Sequence, residues 1–106
     1  MNISHLFSRS WSQHYTCNEF AIEAWQEITG ENLAVRLNQF LNGGDGFLEL
    51  KGPESPCIVF MSFQAKGPTH VGLFYCGKVL HLTGRGVQFV HLDVLKTYFN
   101  HLRFYQ

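Results

Sequence analysis

The chain has 106 residues, of which 45% are hydrophobic and 15% charged, and its eight basic and eight acidic side chains cancel. These proportions predict a single globular domain over residues 1–106 and exclude a disordered chain. Because there is no lysine or arginine cluster and no apolar run approaches the roughly 18 residues of a spanning helix, we expect neither a nucleic-acid nor a membrane partner.

The N-terminal segment, MNISHLFSRSWSQ, contains no continuous apolar stretch like that of a secretory signal peptide. We therefore expect synthesis in the cytoplasm without a signal peptide. The three cysteines, Cys17, Cys57 and Cys76, form an odd set without a CxxC pair, which argues against a disulfide framework.

The first half of the chain predicts two helices. From Cys17 to Thr29 apolar residues recur at helical spacing, and Gly30 follows as a natural C-terminal stop. A second helix is expected from about Leu33 to Leu41, before a glycine-rich segment.

Two sequence signals place the start of the first helix. Thr16 and Glu19 fit the S/T-x-x-E capping box, and Tyr15 and Phe20 occupy the hydrophobic-staple positions. Cys17 then becomes the first helical residue, where free N–H groups and the helix dipole favour an anion. A cysteine nucleophile attacks as a thiolate, so this position suits one. The alternative is that Cys17 is a small buried core residue.

The second half of the chain predicts strands. They cover residues 58–63, 71–75, 78–83 and 87–91, and a short helix (93–99) and a closing strand (101–106) follow. Helices followed by strands predict an α+β fold, with N-terminal helices packed on an antiparallel β-sheet.

Two histidines are expected to meet in the hairpin formed by the second and third strands. If residues 76 and 77 form its two-residue turn, His70 pairs with Thr83, and His81 lies opposite Gly72, diagonal to His70 on the same face. His70 is the candidate general base, and His81 is the candidate group that orients it. The other histidines have no such pattern and are interpreted as structural or surface residues: His5, His14, His91 and His101.

The segments HYTCNEFAIEAWQEITG and PTHVGLFYCGKVLHLTGRGVQFVHL resemble the NlpC-type papain-like cysteine peptidases of bacterial cell walls, especially short forms from bacteriophage tail gene clusters. The resemblance implies a papain-like fold with Cys17 as nucleophile, His70 as base and His81 as the orienting residue. It implies hydrolysis of an amide bond in peptidoglycan stem peptides without a metal or cofactor, and association with phage tail proteins in the virion. Lipid-directed relatives carry the histidine strand before the cysteine helix, so the order found here favours a peptidase.

Trp11 and Tyr15 lie just ahead of Cys17 and are candidate substrate-binding residues on the wall of a groove. Trp25 is a weaker candidate, since an aromatic residue at helical spacing is more often part of the core. The segment SRSWSQHY, which contains Trp11 and Tyr15, stands where the family has a glycine-rich lead-in.

Two alternatives stay open. Thr16 and Asn18-Glu19 stand where the family usually has Asp and Ser-Gly, which leaves room for a catalytically inactive tail-assembly or cell-wall-binding module of the same fold. The other alternative is a zinc site, although the chain has no short-spaced ligand pair of the zinc-finger kind. Its ligands would be Cys17, His70, His81 and Cys76.

Overall fold

Three α-helices and six β-strands make up the part of the chain described by the structure, a computed structural model covering residues 3–65 and 69–106. The helices are α1 (Cys17–Thr29), α2 (Ala34–Leu41) and α3 (Leu92–Lys96), and a 3₁₀ helix (Ser4–Ser8) precedes them. The strands are β1 (Glu49–Leu50), β2 (Cys57–Ser62), β3 (His70–Tyr75), β4 (Lys78–Thr83), β5 (Gly86–His91) and β6 (His101–Tyr105). None of the described helices has the length and apolar character needed to cross a bilayer.

The strands form one six-stranded sheet in the order β1-β6-β2-β3-β4-β5, and every pairing is antiparallel. The predicted α+β class with an antiparallel sheet is confirmed. Sequence analysis missed β1, because two residues are too short to show an alternating pattern. It also missed the 3₁₀ helix at the N-terminus.

The two faces of the sheet are covered by different helices. On one face α1, α2 and the 3₁₀ helix bury the main core, in which Phe20 and Trp25 of α1 pack with alternate residues of the strands. On the other face a smaller cluster around Leu95 of α3 packs against Val59 and Val79. Because β2 is buried on both faces, its apolar residues run continuously instead of alternating.

The start of α1 is fixed as the capping signals predict. Thr16 is extended at the N-cap, its Oγ1 accepts a hydrogen bond from Asn18 N at 3.3 Å, and its N–H donates to Glu19 Oε1 at 2.8 Å. The hydrogen bond from the Thr16 backbone is the main reason why the pKa of the Glu19 carboxyl is lowered. Gly30 ends the helix in the left-handed region, with φ of 82°. Cys17 is therefore the first residue of α1.

The hairpin of β3 and β4 turns at residues 76 and 77, as predicted, and both have positive φ. Tyr75 pairs with Lys78, but the ladder ends at the pair Leu73–Leu80. The predicted pairing of His70 with Thr83 is therefore not formed. The first three residues of β3 thus have no ladder partner in β4.

The helix predicted over residues 93–99 is shorter, because α3 ends at Lys96. Tertiary contacts explain the early end: the Phe99 ring stacks on Phe63 with centroids 5.1 Å apart, and Asn100 Nδ2 donates to the Phe63 carbonyl oxygen at 2.8 Å. These contacts hold the segment after α3 over the start of β3.

Candidate active site

Cys17 lies at the N-terminus of α1 with its thiol half-buried. The Sγ atom lies 4.0 Å from Asn18 Oδ1, and no hydrogen bond joins it to an imidazole in the described part of the chain. Its backbone N–H, at the first helical position, donates to no described residue. A free donor next to a nucleophile is the arrangement needed to hold an oxyanion.

His70 and His81 form a hydrogen-bonded pair. His70 Nε2 and His81 Nδ1 are 2.8 Å apart, and the rings meet edge to face. Gly72 makes this contact possible, since a Cβ there would lie 3.0 Å from His81 Cβ and from the Leu80 carbonyl oxygen. The predicted meeting of the two histidines is confirmed.

The phenyl ring of Phe99 stacks on the His70 imidazole, with the planes 7° apart and the centroids separated by 6.0 Å. Phe63 stacks in turn on Phe99. This aromatic stack limits the rotation of His70 and keeps its Nε2 directed at His81.

Burial keeps both imidazoles neutral near pH 7. His81 is only 3% exposed, and desolvation together with the neighbouring His70 lowers its pKa to about 4. Burial also lowers the pKa of His70. A neutral His70 can accept a proton, as a general base must.

His81 Nε2 is the one buried side-chain polar atom without a hydrogen-bond partner among the described residues. Gln88 of β5 lies directly across from His81. Its side chain raises the pKa of His81 slightly, against the larger effect of burial, but its geometry does not complete a hydrogen bond to Nε2. A buried polar atom without a partner costs free energy.

One cavity of about 970 Å³ is lined by Cys17, His70 and His81 together. Aromatic side chains form much of its wall: Trp11, Phe63, Tyr98 and Phe99. Trp11, Phe63 and Tyr98 are each more than half exposed, which is typical of apolar surface kept for a ligand. A second hollow of about 480 Å³ adjoins the cavity and shares Phe63, His70 and Phe99 with it.

Of the predicted site residues, Cys17, His70, His81 and Trp11 line this cavity, whereas Tyr15 does not. The Tyr15 hydroxyl donates to the Glu23 carboxylate, which also pairs with Arg9 at 2.7 Å. Burial, together with the hydrogen bond to Glu23, raises the pKa of Tyr15. The hydrogen bonds between Arg9 and Glu23 raise the pKa of Arg9 and lower that of Glu23.

Trp25 and the four other histidines lie outside the cavity lining. Trp25 is buried in the core, as expected. His5 pairs with Glu27.

The ligands proposed for a zinc site do not converge. No three His, Cys, Asp or Glu side chains within residues 3–65 and 69–106 are placed to hold a metal ion. Cys76 lies in the β3–β4 turn, at the opposite end of the strand from His70.

The buried His81 is expected to make the fold less stable in mild acid. In the unfolded chain His81 takes up a proton near pH 6.5, but in the folded chain only near pH 4. The unfolded state therefore binds more protons throughout this window, and the free energy of unfolding falls as the pH drops. At about 1.4 kcal/mol per pH unit, the loss from neutral pH to pH 5 is about 2 kcal/mol.

Urea titrations at pH 7 and pH 5 measure this loss. His81→Asn keeps a polar atom facing His70 but cannot titrate, so its stability should change less over the same range. Equal changes in the two proteins would contradict the expectation.

Comparison with known proteins finds no family model, no curated protein and no solved structure that matches this chain.

Proposed function

We propose that this protein is a cysteine hydrolase of the papain-like NlpC type that cleaves an amide bond of peptidoglycan stem peptides. The observation that carries the proposal is that Cys17, at the start of a capped helix, lines the same cavity as the hydrogen-bonded pair His70–His81. Nucleophile, base and orienting group are the three parts of a thiol-hydrolase triad. A helical N-terminal half on an antiparallel sheet agrees with the papain-like arrangement.

The positions of the protons follow from which nitrogens are occupied. His70 Nε2 faces His81, so His70 Nδ1 is left to take the thiol proton. For Nδ1 to accept, neutral His70 carries its hydrogen on Nε2 and donates it to His81 Nδ1. Neutral His81 then carries its hydrogen on Nε2, the atom that has no partner, and the amide oxygen of Gln88 is suited to accept it. Gln88 is thus a positioning residue.

The proposed reaction has two stages. His70 Nδ1 takes the thiol proton as Cys17 Sγ attacks the amide carbonyl carbon, and the resulting oxyanion faces the free N–H of Cys17. His70 returns the proton to the leaving nitrogen, the C–N bond breaks, and a thioester on Cys17 remains. His70 then takes a proton from water as the resulting hydroxide attacks the thioester carbon. The C–S bond breaks, His70 returns the proton to Cys17 Sγ, and the acid product is released.

The shape of the site supports a peptide substrate. The two hollows share His70 in their linings, so a chain that occupies both would pass this residue. The exposed rings of Trp11, Phe63 and Tyr98 offer apolar surface along that path. The resemblance to the phage tail short forms supports stem peptides as the substrate and the virion tail as the place of action.

Incubation of the full chain with synthetic stem peptides tests the proposal. We expect a new amine and a new carboxylate from one amide bond, and an acid quench should trap a peptide adduct whose mass maps to Cys17. Absence of both cleavage and adduct would contradict it.

One observation favours the second candidate, an inactive binding module of the same fold. The Cys17 thiol makes its contact with Asn18 and has no hydrogen bond to His70. Catalytic hydrogen bonds often form only when substrate binds, so the arrangement is compatible with both functions. The rate at which iodoacetamide alkylates Cys17, followed against pH, separates them: an enzyme retains fast alkylation in mild acid, whereas a binding module follows an ordinary free thiol.

A further inference from the structure

Arg85 lies in the turn between β4 and β5, at the rim of the cavity that holds Cys17 and His70. The turn is fixed by Thr83, whose Oγ1 accepts from Arg85 N at 3.1 Å and donates to the Gly86 carbonyl oxygen at 2.9 Å. The backbone from which the guanidinium extends is therefore held in place, while the side chain itself is exposed.

Among the described residues that line this cavity, Arg85 is the only one with a permanent charge, and none of them is Asp or Glu. Within the described ranges its guanidinium has no ion pair or hydrogen bond, since the ion pairs there use His5, Arg9, Arg36 and Lys96. The five residues outside those ranges contain no Asp or Glu. In the part of the chain that the structure describes, the cavity thus combines apolar walls with one unpaired cation.

We propose that Arg85 binds a carboxylate of the substrate beside the scissile amide, so that the enzyme selects peptides with an acidic group at that position. This inference rests on the proposed hydrolase function and adds a specificity residue to it. A guanidinium presents two parallel N–H donors that match the two oxygens of a carboxylate.

Two peptides test the inference: a stem peptide with a free carboxylate beside the scissile bond, and the same peptide with that group converted to a carboxamide. We expect the native protein to hydrolyse the acid with kcat/KM about 10-fold above that of the amide, the effect of about one charge-assisted hydrogen-bond pair. Arg85→Gln should remove this preference, mainly by raising KM for the acid, and should leave the amide unaffected. Arg85→Lys should restore part of it.

Arg103→Gln is the matched control, because Arg103 is also exposed and unpaired in the described structure but does not line the cavity. An equal loss on both peptides in Arg85→Gln would overturn the inference and place Arg85 in support of the fold or the thiol. An unchanged preference would overturn it as well.

Calorimetric titration of both peptides into Cys17→Ala, with and without Arg85→Gln, separates this inference from the hydrolase proposal. Binding of the acid that depends on Arg85, without hydrolysis by the native protein, would support the carboxylate site and contradict the enzyme. Hydrolysis of both peptides at the same rate would support the enzyme and contradict the carboxylate site. If the protein neither binds nor hydrolyses the peptides, both proposals are overturned.

Discussion

Replacing Cys17 by alanine is expected to lower the rate of stem-peptide hydrolysis by about four orders of magnitude or more, because the covalent step has no other nucleophile. The fold should persist. Alanine is a good helix former at the first helical position, and the capping bonds between Thr16 and Glu19 do not involve the thiol. Product release followed by mass spectrometry, together with a thermal unfolding curve, measures both expectations.

Cys76→Ser is the matched control for this experiment. Cys76 is the exposed cysteine, in the β3–β4 turn and outside the cavity lining, so its loss should leave hydrolysis unchanged. Iodoacetamide should inactivate the Cys76→Ser protein with one equivalent bound at Cys17. Hydrolysis by the Cys17→Ala protein at the native rate would contradict the proposal that Cys17 is the nucleophile.

His70→Gln is expected to reduce kcat/KM by about 10²- to 10⁴-fold, the range that a general base contributes. Glutamine can still donate a hydrogen bond to His81 Nδ1, so the packing at the start of β3 should be kept. It cannot take the proton of Cys17. The alkylation rate of Cys17 in mild acid should fall in the same variant, because the neutral imidazole that takes the thiol proton is missing.

The pH dependence of hydrolysis by the native protein supplies a second measurement on His70. Burial lowers the pKa of His70, so the neutral base persists below pH 6.5, and kcat/KM should fall only in more acidic solution. His91→Gln, at the exposed end of β5, serves as the control variant. Activity of His70→Gln within a few-fold of the native protein, or a similar loss in His91→Gln, would rule out the assigned role.

Much of the site could be predicted because it depends on local geometry. The capping box and staple fix the start of α1 within six residues, and this places Cys17. The two-residue turn fixes the register of β3 and β4, and this brings His70 to His81 across eleven residues of chain. In both places short-range sterics and hydrogen bonds leave few alternatives.

Other parts of the site could not be predicted, because they depend on which strands pair and on the path of the chain between distant elements. Gln88 is found only once β5 is paired with β4 and His81 Nε2 is seen to lack a partner. The stacking of Phe99 on His70 depends on the path of the chain after α3. Tyr15 comes two residues before Cys17 in the sequence, yet its hydroxyl donates a hydrogen bond to Glu23 of α1. Its side chain therefore does not line the cavity.

The sequence by itself determined the α+β class, the helix that begins at Cys17 and the histidine hairpin, because each follows from hydrophobic period, capping or turn chemistry within a short segment. Only the tertiary structure decided that Cys17 and the hairpin share one cavity and that His81 is buried deeply enough to stay neutral. It also decided that Arg85 is the one permanent charge among the described residues that line the cavity. These properties depend on how α1 and α3 pack on opposite faces of the sheet. Such packing is set by the summed burial of residues far apart in the chain, which no local pattern records.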